Sequence, residues 1–320
     1  MSINNKLKFN IFSTLKIYEN VKLYNLKKVK KAWYAGAFKN NDTLINEFIF
    51  KKRGEIFSIS DSKIIQNHKF KNISNHESII WGGFIIPHYG HFLLESLTRF
   101  YAFNHSEETI VFFAKSLDIP SWVREIFEIL NISNRVNIIA IDSIINVKNL
   151  KIAKAGYELE TTKYYQKFFK SLKIYDKINI KFLNKKVWFS RSKLKKRFII
   201  NEDTLEKQLQ SHGWTIIHPE LLPVKEQVSV FTSANRIAGF IGSAFHSIIL
   251  TKTISVKLDL FLLSEKTNIN YINIAKARNI QQNIHDIGLR SISGNEFNKS
   301  TWKISSSRIE KILTILKIKN

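Results

Sequence analysis

Between Lys186 and Thr251 the apolar and polar positions change period several times, and each change marks a new element. Lys186 to Ser190 is a short β-rich run, Asn201 to Ser211 spaces its apolar residues as an amphipathic helix, and Trp214 to His218 returns to strand character. Pro219 and Pro223 bound a turn. Glu226 to Ser233 predicts a helix, Ile237 to Ile241 an apolar strand ending in Gly242, and Ser243 to Thr251 a further helix. This alternation predicts half of an α/β domain, in which the first amides of the last helix point into the crevice at the carboxyl edge of the sheet.

Farther upstream, Trp81 to Arg99 reads WGGFIIPHYGHFLLESLTR, a loop broken by glycine and proline that runs into a predicted helix. Helical spacing sets His91 and Glu95 on one face, while Phe92, Leu93, Leu94, Leu97 and Phe100 supply an apolar surface. His88, His91 and Glu95 are three proton-handling groups within eight residues, the inventory of a general base. The competing interpretation is structural: His91 and Glu95 bond only to each other, or cap a helix end beside a core.

The second segment brings cations. Arg191 and Arg197 can hold an anion in bidentate fashion, although Lys193, Lys195 and Lys196 around them also fit an ordinary solvated face. Asn201 and Glu202 read most simply as a cap with an acid in the first turn. Gly242, Ser243 and Ala244 form a glycine-led turn, and His246 is either a core histidine or an imidazole one turn beyond it. His105, His212, His218 and His285 have no partner pattern.

Taken in order, these residues resemble family 61 of the glycosyltransferases, over roughly Ile79 to Arg278. The resemblance is carried by the His88, His91, Glu95 cluster, by Ser190-Arg191 followed by Arg197 and Asn201-Glu202, by Glu220, Gln227 and Ala234, and by the Gly242-Ser243-Ala244 turn. It implies a GT-B architecture, two Rossmann-like domains facing a central cleft, and an inverting single displacement. A nucleotide-sugar would be the donor, UDP-hexose or UDP-N-acetylhexosamine by family habit, and a capsule, lipopolysaccharide or other surface glycan the acceptor. Glu95, His91 and His88 are then the catalytic candidates. Arg191, Arg197, Asn201, Glu202, Glu220, Gln227, Gly242, Ser243, Ala244 and His246 are the donor-site candidates. The chain departs from the family pattern at Thr98, where bacterial relatives often carry Pro, and at Ile241-Gly242-Ser243-Ala244, where many members have His-Gly-Ala-Gly.

No Asp-x-Asp occurs in the chain, so the expectation is turnover without a metal and without any cofactor beyond the donor. His91 and Glu95 alone make a weak two-ligand set. Walker A, G-x-G-x-x-G, G-x-S-x-G and H-E-x-x-H patterns are absent, and zero cysteines exclude disulfides and thiol nucleophiles.

A length of 320 residues with 44% hydrophobic content accommodates two cores, expected as an acceptor-side domain over 1–175 and a nucleotide-sugar domain over 176–320. The boundary is expected between Tyr164 and Lys185, a Lys-rich stretch. A net charge of +24 favours an anionic partner: an acidic glycan or lipid phosphate, an anionic membrane face, or nucleic acid. Lysines interrupt every apolar run of the N-terminal stretch and no apolar run reaches a membrane span, so the expected location is cytoplasmic, peripheral on the inner face of a bacterial membrane. Ile309, Ile312, Leu313 and Leu316 repeat at helical spacing among basic residues, predicting a terminal helix that either docks on the fold or lies on a membrane. Two rivals to the transferase are a basic nucleic-acid-binding protein and a catalytically silent subunit of glycan assembly.

Overall fold

In the computed structural model the chain divides into two compact units, Met1–Leu172 and Lys173–Asn320. The described residues are 15–29, 32–48, 51–52, 55–56, 65, 69–102, 106–140, 143–153, 179–252, 254–265, 267–293 and 300–318. The expected boundary stretch, Tyr164 to Lys185, falls mostly outside them, as do His105 and the first fourteen residues. Both units are mixed α/β structures.

The first unit is built on a six-stranded sheet. Its strands are β1 (Leu15–Val29), β2 (Ala32–Lys39), β5 (Lys71–Phe84), β6 (Ile110–Phe113), β7 (Val136–Ile139) and β8 (Ser143–Ala153), in the order β2-β1-β8-β5-β6-β7. A separate short pair, β3 (Lys51–Lys52) and β4 (Glu55–Ile56), lies between them in sequence. Strands β8, β5, β6 and β7 run parallel, whereas β1 is antiparallel to both β2 and β8. The sheet therefore departs from the all-parallel Rossmann pattern. Only two residues separate β1 from β2, too few for a crossover, and the two strands pair antiparallel.

All four residues of β6 are buried, as expected for a central parallel strand covered on both faces. Val21, Leu23, Ile79, Trp81, Ile145 and Val147 pack into one cluster, in which Phe48 stacks on Trp81 at 4.5 Å. Near its end β5 is irregular between Trp81 and Gly83, and Gly83 has φ +121, a conformation that a side chain would strain. That kink directs the chain into α1 (Tyr89–Leu94). A 3-10 turn, Ser96–Ala102, continues it, and Arg99 within this turn donates from Nε to the Ala153 carbonyl at 3.0 Å and from Nη2 to the Glu47 carbonyl at 3.1 Å. The single helix expected here is thus two short pieces, the second anchored to the end of β8. Another helix, α2 (Ser121–Ile129), follows β6.

The second unit holds a fully parallel sheet in the order β11-β9-β12-β13-β14. The strands are β9 (Lys186–Phe189), β11 (Trp214–Ile217), β12 (Arg236–Phe240), β13 (Lys257–Phe261) and β14 (Gln282–His285). Between them run α3 (Glu202–Ser211), α4 (Val224–Ser233) and α5 (Ile269–Arg278). These elements reproduce the alternation legible in the sequence, with Ser243–Leu250 forming a 3-10 rather than an α-helix. From β9 the chain first winds outward to β11, then crosses back to β12 on the other side of β9. The topological switch point lies between the carboxyl ends of β9 and β12, where open α/β sheets place their ligands. A small second sheet joins β10 (Ile199–Ile200), β16 (Thr301–Lys303) and β15 (Ser291–Ser293).

The terminal helix, α6 (Ser306–Ile315), is docked. Ile309, Ile312, Leu313 and Leu316 are buried in the cluster formed by Trp188, Leu205, Trp214 and Trp302. This apolar stripe belongs to the core of its own unit, so any membrane contact falls to other basic surfaces. Among the described residues, no helix is long and apolar enough to cross a membrane.

A buried polar network locks the end of α6. Asp259 on β13 accepts from Arg236 Nε at 2.7 Å and Asn283 Nδ2 at 3.0 Å, and lies 2.9 Å from His285 Nε2; Arg236 Nη1 also donates to the Leu316 carbonyl at 3.0 Å. Burial alone would raise the Asp259 pKa, but the donors from Arg236, His285 and Asn283 outweigh it and hold it below the ordinary value. Asp259→Asn should cost at most about 3 kcal/mol, because the Arg236 charge, only partly open to water, loses its counter-ion. A depressed carboxylate contributes stability above its unfolded pKa and loses it as pH falls through the folded one. Urea unfolding should therefore show the difference at neutral pH and its disappearance in acid.

Candidate functional site

In the first unit the β5 kink and the loop after it place His88 at the N-cap of α1, where its Nδ1 accepts from the His91 amide at 3.4 Å. The His88 and His91 rings lie 4.5 Å apart. One turn on, His91 Nδ1 is 2.7 Å from Glu95 Oε1, with the histidine side chain 35% exposed and the carboxylate 3%. The i,i+4 spacing read from the sequence is realised. Its two members differ in exposure: Glu95 is enclosed and His91 faces outward. A carboxylate accepting from Nδ1–H sets the tautomer that leaves the lone pair on Nε2, and it stabilises the imidazolium formed when Nε2 takes a proton.

In the second unit the candidates gather at the switch point. Arg191 leaves the carboxyl end of β9 and curls back: Nε and Nη2 donate to the Arg197 carbonyl at 3.2 and 3.0 Å, and Nη1 donates to the Ile241 carbonyl beyond β12 at 3.4 Å. Among the described residues these bonds take three of the five N–H groups of the guanidinium. Arg197 sits at φ +58, a left-handed conformation uncommon outside glycine and asparagine, and in that conformation its carbonyl is the one that Arg191 binds. Burial, with Arg197 nearby, lowers the Arg191 pKa to about 10, so the group stays charged at neutral pH. Gly242 is extended, at φ −171, and its constraint is one of space: a Cβ there would overlap the Arg191 guanidinium.

Glu202 supports this loop from beneath. It is fully buried; Oε1 accepts from Trp188 Nε1 at 3.0 Å and Oε2 from the Arg191 backbone amide at 3.1 Å. It therefore acts on the site by holding Arg191 in place, since no ligand can reach it. Asn201 also has a structural task. It occupies the N-cap of α3 at φ +67 with no capping bond, and its amide donates to the Ile304 carbonyl at 3.3 Å. Gln227 is buried, donating to the Leu222 carbonyl at 3.0 Å and accepting from Ser247 Oγ at 3.4 Å, which ties α4 to the 3-10 helix.

Glu220 is exposed in the 3-10 turn after β11, and its charge acts on Arg191. Ser243 and Ala244, half-buried, open the 3-10 helix at the end of β12. His246 is buried and stacks on Tyr271 at 4.6 Å with 27° between the rings. Tyr271, in the first turn of α5, is a residue that periodicity could not single out. Its ring is buried and its hydroxyl feels the charges of Arg191 and Arg197; burial outweighs them and holds the phenol above its ordinary pKa, as a neutral donor. Among the described residues, no three His, Asp or Glu side chains are gathered closely enough to hold a metal ion.

The switch point of a parallel sheet, with the Arg191 guanidinium and the start of a helix beside it, is where open α/β folds hold nucleotides or phosphates. The sequence model of the family Glycosyltransferase 61 matches residues 89–256, more than half of the chain, and the chain belongs to that family of glycosyltransferases. It is a glycosyltransferase, acting between a sugar donor and an acceptor. The match opens at Tyr89, immediately after His88, and runs through all the other candidates. No curated protein matches the chain.

Burial, together with the nearby Glu206 charge, pushes the Glu202 carboxyl up to about 8, against an ordinary value of 4.5. A raised folded pKa gives stability that is complete below the unfolded value and is lost as pH rises through the folded one. Urea midpoints of the wild type should fall across that window. Glu202→Gln, which cannot ionise, should flatten the slope, at a cost of about 1 kcal/mol for the hydrogen bond weakened to Trp188 or Arg191.

Proposed function

We propose that this glycosyltransferase is inverting and metal-independent, and that it transfers a sugar from a nucleotide-sugar donor to a growing surface glycan such as capsule or lipopolysaccharide. The observation that carries this is the Arg191 guanidinium at the switch point of the second unit, bonded to the Ile241 carbonyl just before the Gly242-led start of the 3-10 helix, with the Arg197 charge acting on it. A departing nucleoside diphosphate needs such a concentration of fixed positive charge, and cationic side chains can serve where no metal is held. The donor is UDP-hexose or UDP-N-acetylhexosamine by default.

His91 is the base and Glu95 the residue that orients it, because His91 is the outward-facing member of the pair. Nε2 takes the proton of the acceptor hydroxyl. The freed oxygen attacks the anomeric carbon from the face opposite the diphosphate, and the bond to the leaving oxygen breaks with its electron pair going to the diphosphate. One displacement inverts the anomeric centre. The donor would occupy the second unit and the acceptor the first, the division of labour of GT-B enzymes. The net charge of +24 suits an enzyme working at the inner, anionic face of a bacterial membrane on a lipid-linked acceptor, at roughly 1 kcal/mol for each basic residue near the surface.

A thermal-shift screen against UDP, GDP, CMP and dTDP and their sugar conjugates should show stabilisation by one nucleotide family, lost in Arg191→Ala. Stabilisation by DNA or acidic polysaccharide alone would overturn the nucleotide-sugar donor assignment. With the donor in hand, His91→Ala should lower kcat about a hundredfold, the usual scale for a positioned base. Turnover should persist in excess chelator; activity that disappears and returns with Mn²⁺ or Mg²⁺ would refute metal independence.

A further inference from the structure

Two loops of the first unit meet at α1, the helix that carries His91 and ends at Glu95. Strands β5 and β6 are parallel neighbours with Phe84 opposite Phe113, so the chain leaves both at the same edge of the sheet. The loop after β5 opens α1 at Tyr89, and the loop after β6 opens α2 at Ser121. Their rings touch: Tyr89 and Trp122 have centroids 5.3 Å apart at 75°. Trp122 also meets Phe92 at 5.5 Å, and Phe92 meets Phe127 at 5.8 Å, so the indole is braced from the core side.

The placement of Trp122 differs from that of four other tryptophans. Trp81, Trp188, Trp214 and Trp302 are buried in the two cores, whereas Trp122 and Tyr89 are only half-buried. Along α1, Tyr89 and Phe92 each stand one residue beyond His88 and His91, so the aromatic pair flanks the face that carries the imidazoles. A braced indole partly open to water, packed on the helix that carries a group suited to deprotonating a hydroxyl, matches a ligand with an apolar face and a hydroxylated rim. A pyranose ring has that form. Its C–H face is attracted to the electron-rich face of an aromatic ring, which leaves the hydroxyls at its edge for polar partners.

We propose that Trp122, with Tyr89 at its side, is the platform on which the terminal pyranose of the acceptor lies, presenting its reactive hydroxyl to His91. This specifies the acceptor half of the function proposed above and rests on the first unit being that half. Trp122 orients the sugar and takes no part in proton transfer.

Saturation-transfer NMR on the full chain tests it, with methyl glycosides of glucose, galactose and N-acetylglucosamine as probes. Magnetisation should reach the ring C–H protons of at least one probe in the wild type and in His91→Ala. Trp122→Ala should raise the Kd of that probe about tenfold, with Trp122→Phe in between, while far-ultraviolet circular dichroism stays unchanged. If Trp122→Ala does not fold, Trp122→Phe and Tyr89→Ala carry the comparison. No binding of any probe to the wild type, or equal binding in all the variants that fold, would overturn the proposal. The nucleotide screen is independent: a nucleotide shift without glycoside binding removes the platform and leaves the transferase assignment standing. Trp122-dependent glycoside binding with no nucleotide shift upholds the platform and removes the donor assignment.

Discussion

The buried carboxyl of Glu202 is the constraint on which the second unit's site depends. With one oxygen on the Trp188 indole and the other on the Arg191 amide, it fixes the point where β9 ends and the chain turns out of the sheet. Everything cationic at the switch point is built outward from there. Arg191 binds the Arg197 carbonyl, which Arg197 offers from a left-handed backbone, and reaches across to Ile241 and the space left by Gly242. Enclosing a carboxyl and a guanidinium is costly, and each is tolerated because its hydrogen bonds are supplied from fixed backbone or indole groups. The same rigidity holds the Arg191 charge in one place, as an electrostatic site for the proposed donor requires.

The first unit uses a different device. There the kink of β5 at Gly83 and the short α1 deliver His88 and His91 to the protein surface, while Arg99 anchors the following turn to the Ala153 and Glu47 carbonyls. The histidine and its carboxylate are partners on one helical turn, so little long-range structure is needed to align them. The fold decides their exposure, and exposure separates the outward-facing His91 from the enclosed Glu95 that orients it.

Several residues that stand out in the sequence serve architecture. Asn201 secures the start of α3 to Ile304, Gln227 joins α4 to the 3-10 helix, and the apolar stripe of α6 completes the core around Trp188 and Trp302. Conversely, Tyr271 and Trp122 carry no local signature. A tyrosine in the first turn of a helix and a tryptophan in an amphipathic one are both ordinary until their neighbours are known. His285, without a pattern in the sequence, belongs with Asp259 and Arg236 in the network that locks the terminal helix.

The sequence by itself determined what depends on neighbours within a turn or two: the alternating strands and helices of the second unit, the glycine at the end of β12, the His91–Glu95 pairing, and the family through the order of its motifs. Periodicity and i,i+4 spacing are local properties, written along the chain. Only the tertiary structure decided the switch point, the enclosure of Glu202, the meeting of Arg191 with Ile241, the Tyr89–Trp122 contact and the antiparallel edge of the first sheet. The switch point, the Arg191–Ile241 bond, the Tyr89–Trp122 contact and the pairing of β1 with β8 join segments far apart in sequence, and strand order, set by packing and register across the whole sheet, leaves no mark on the residues of any one segment.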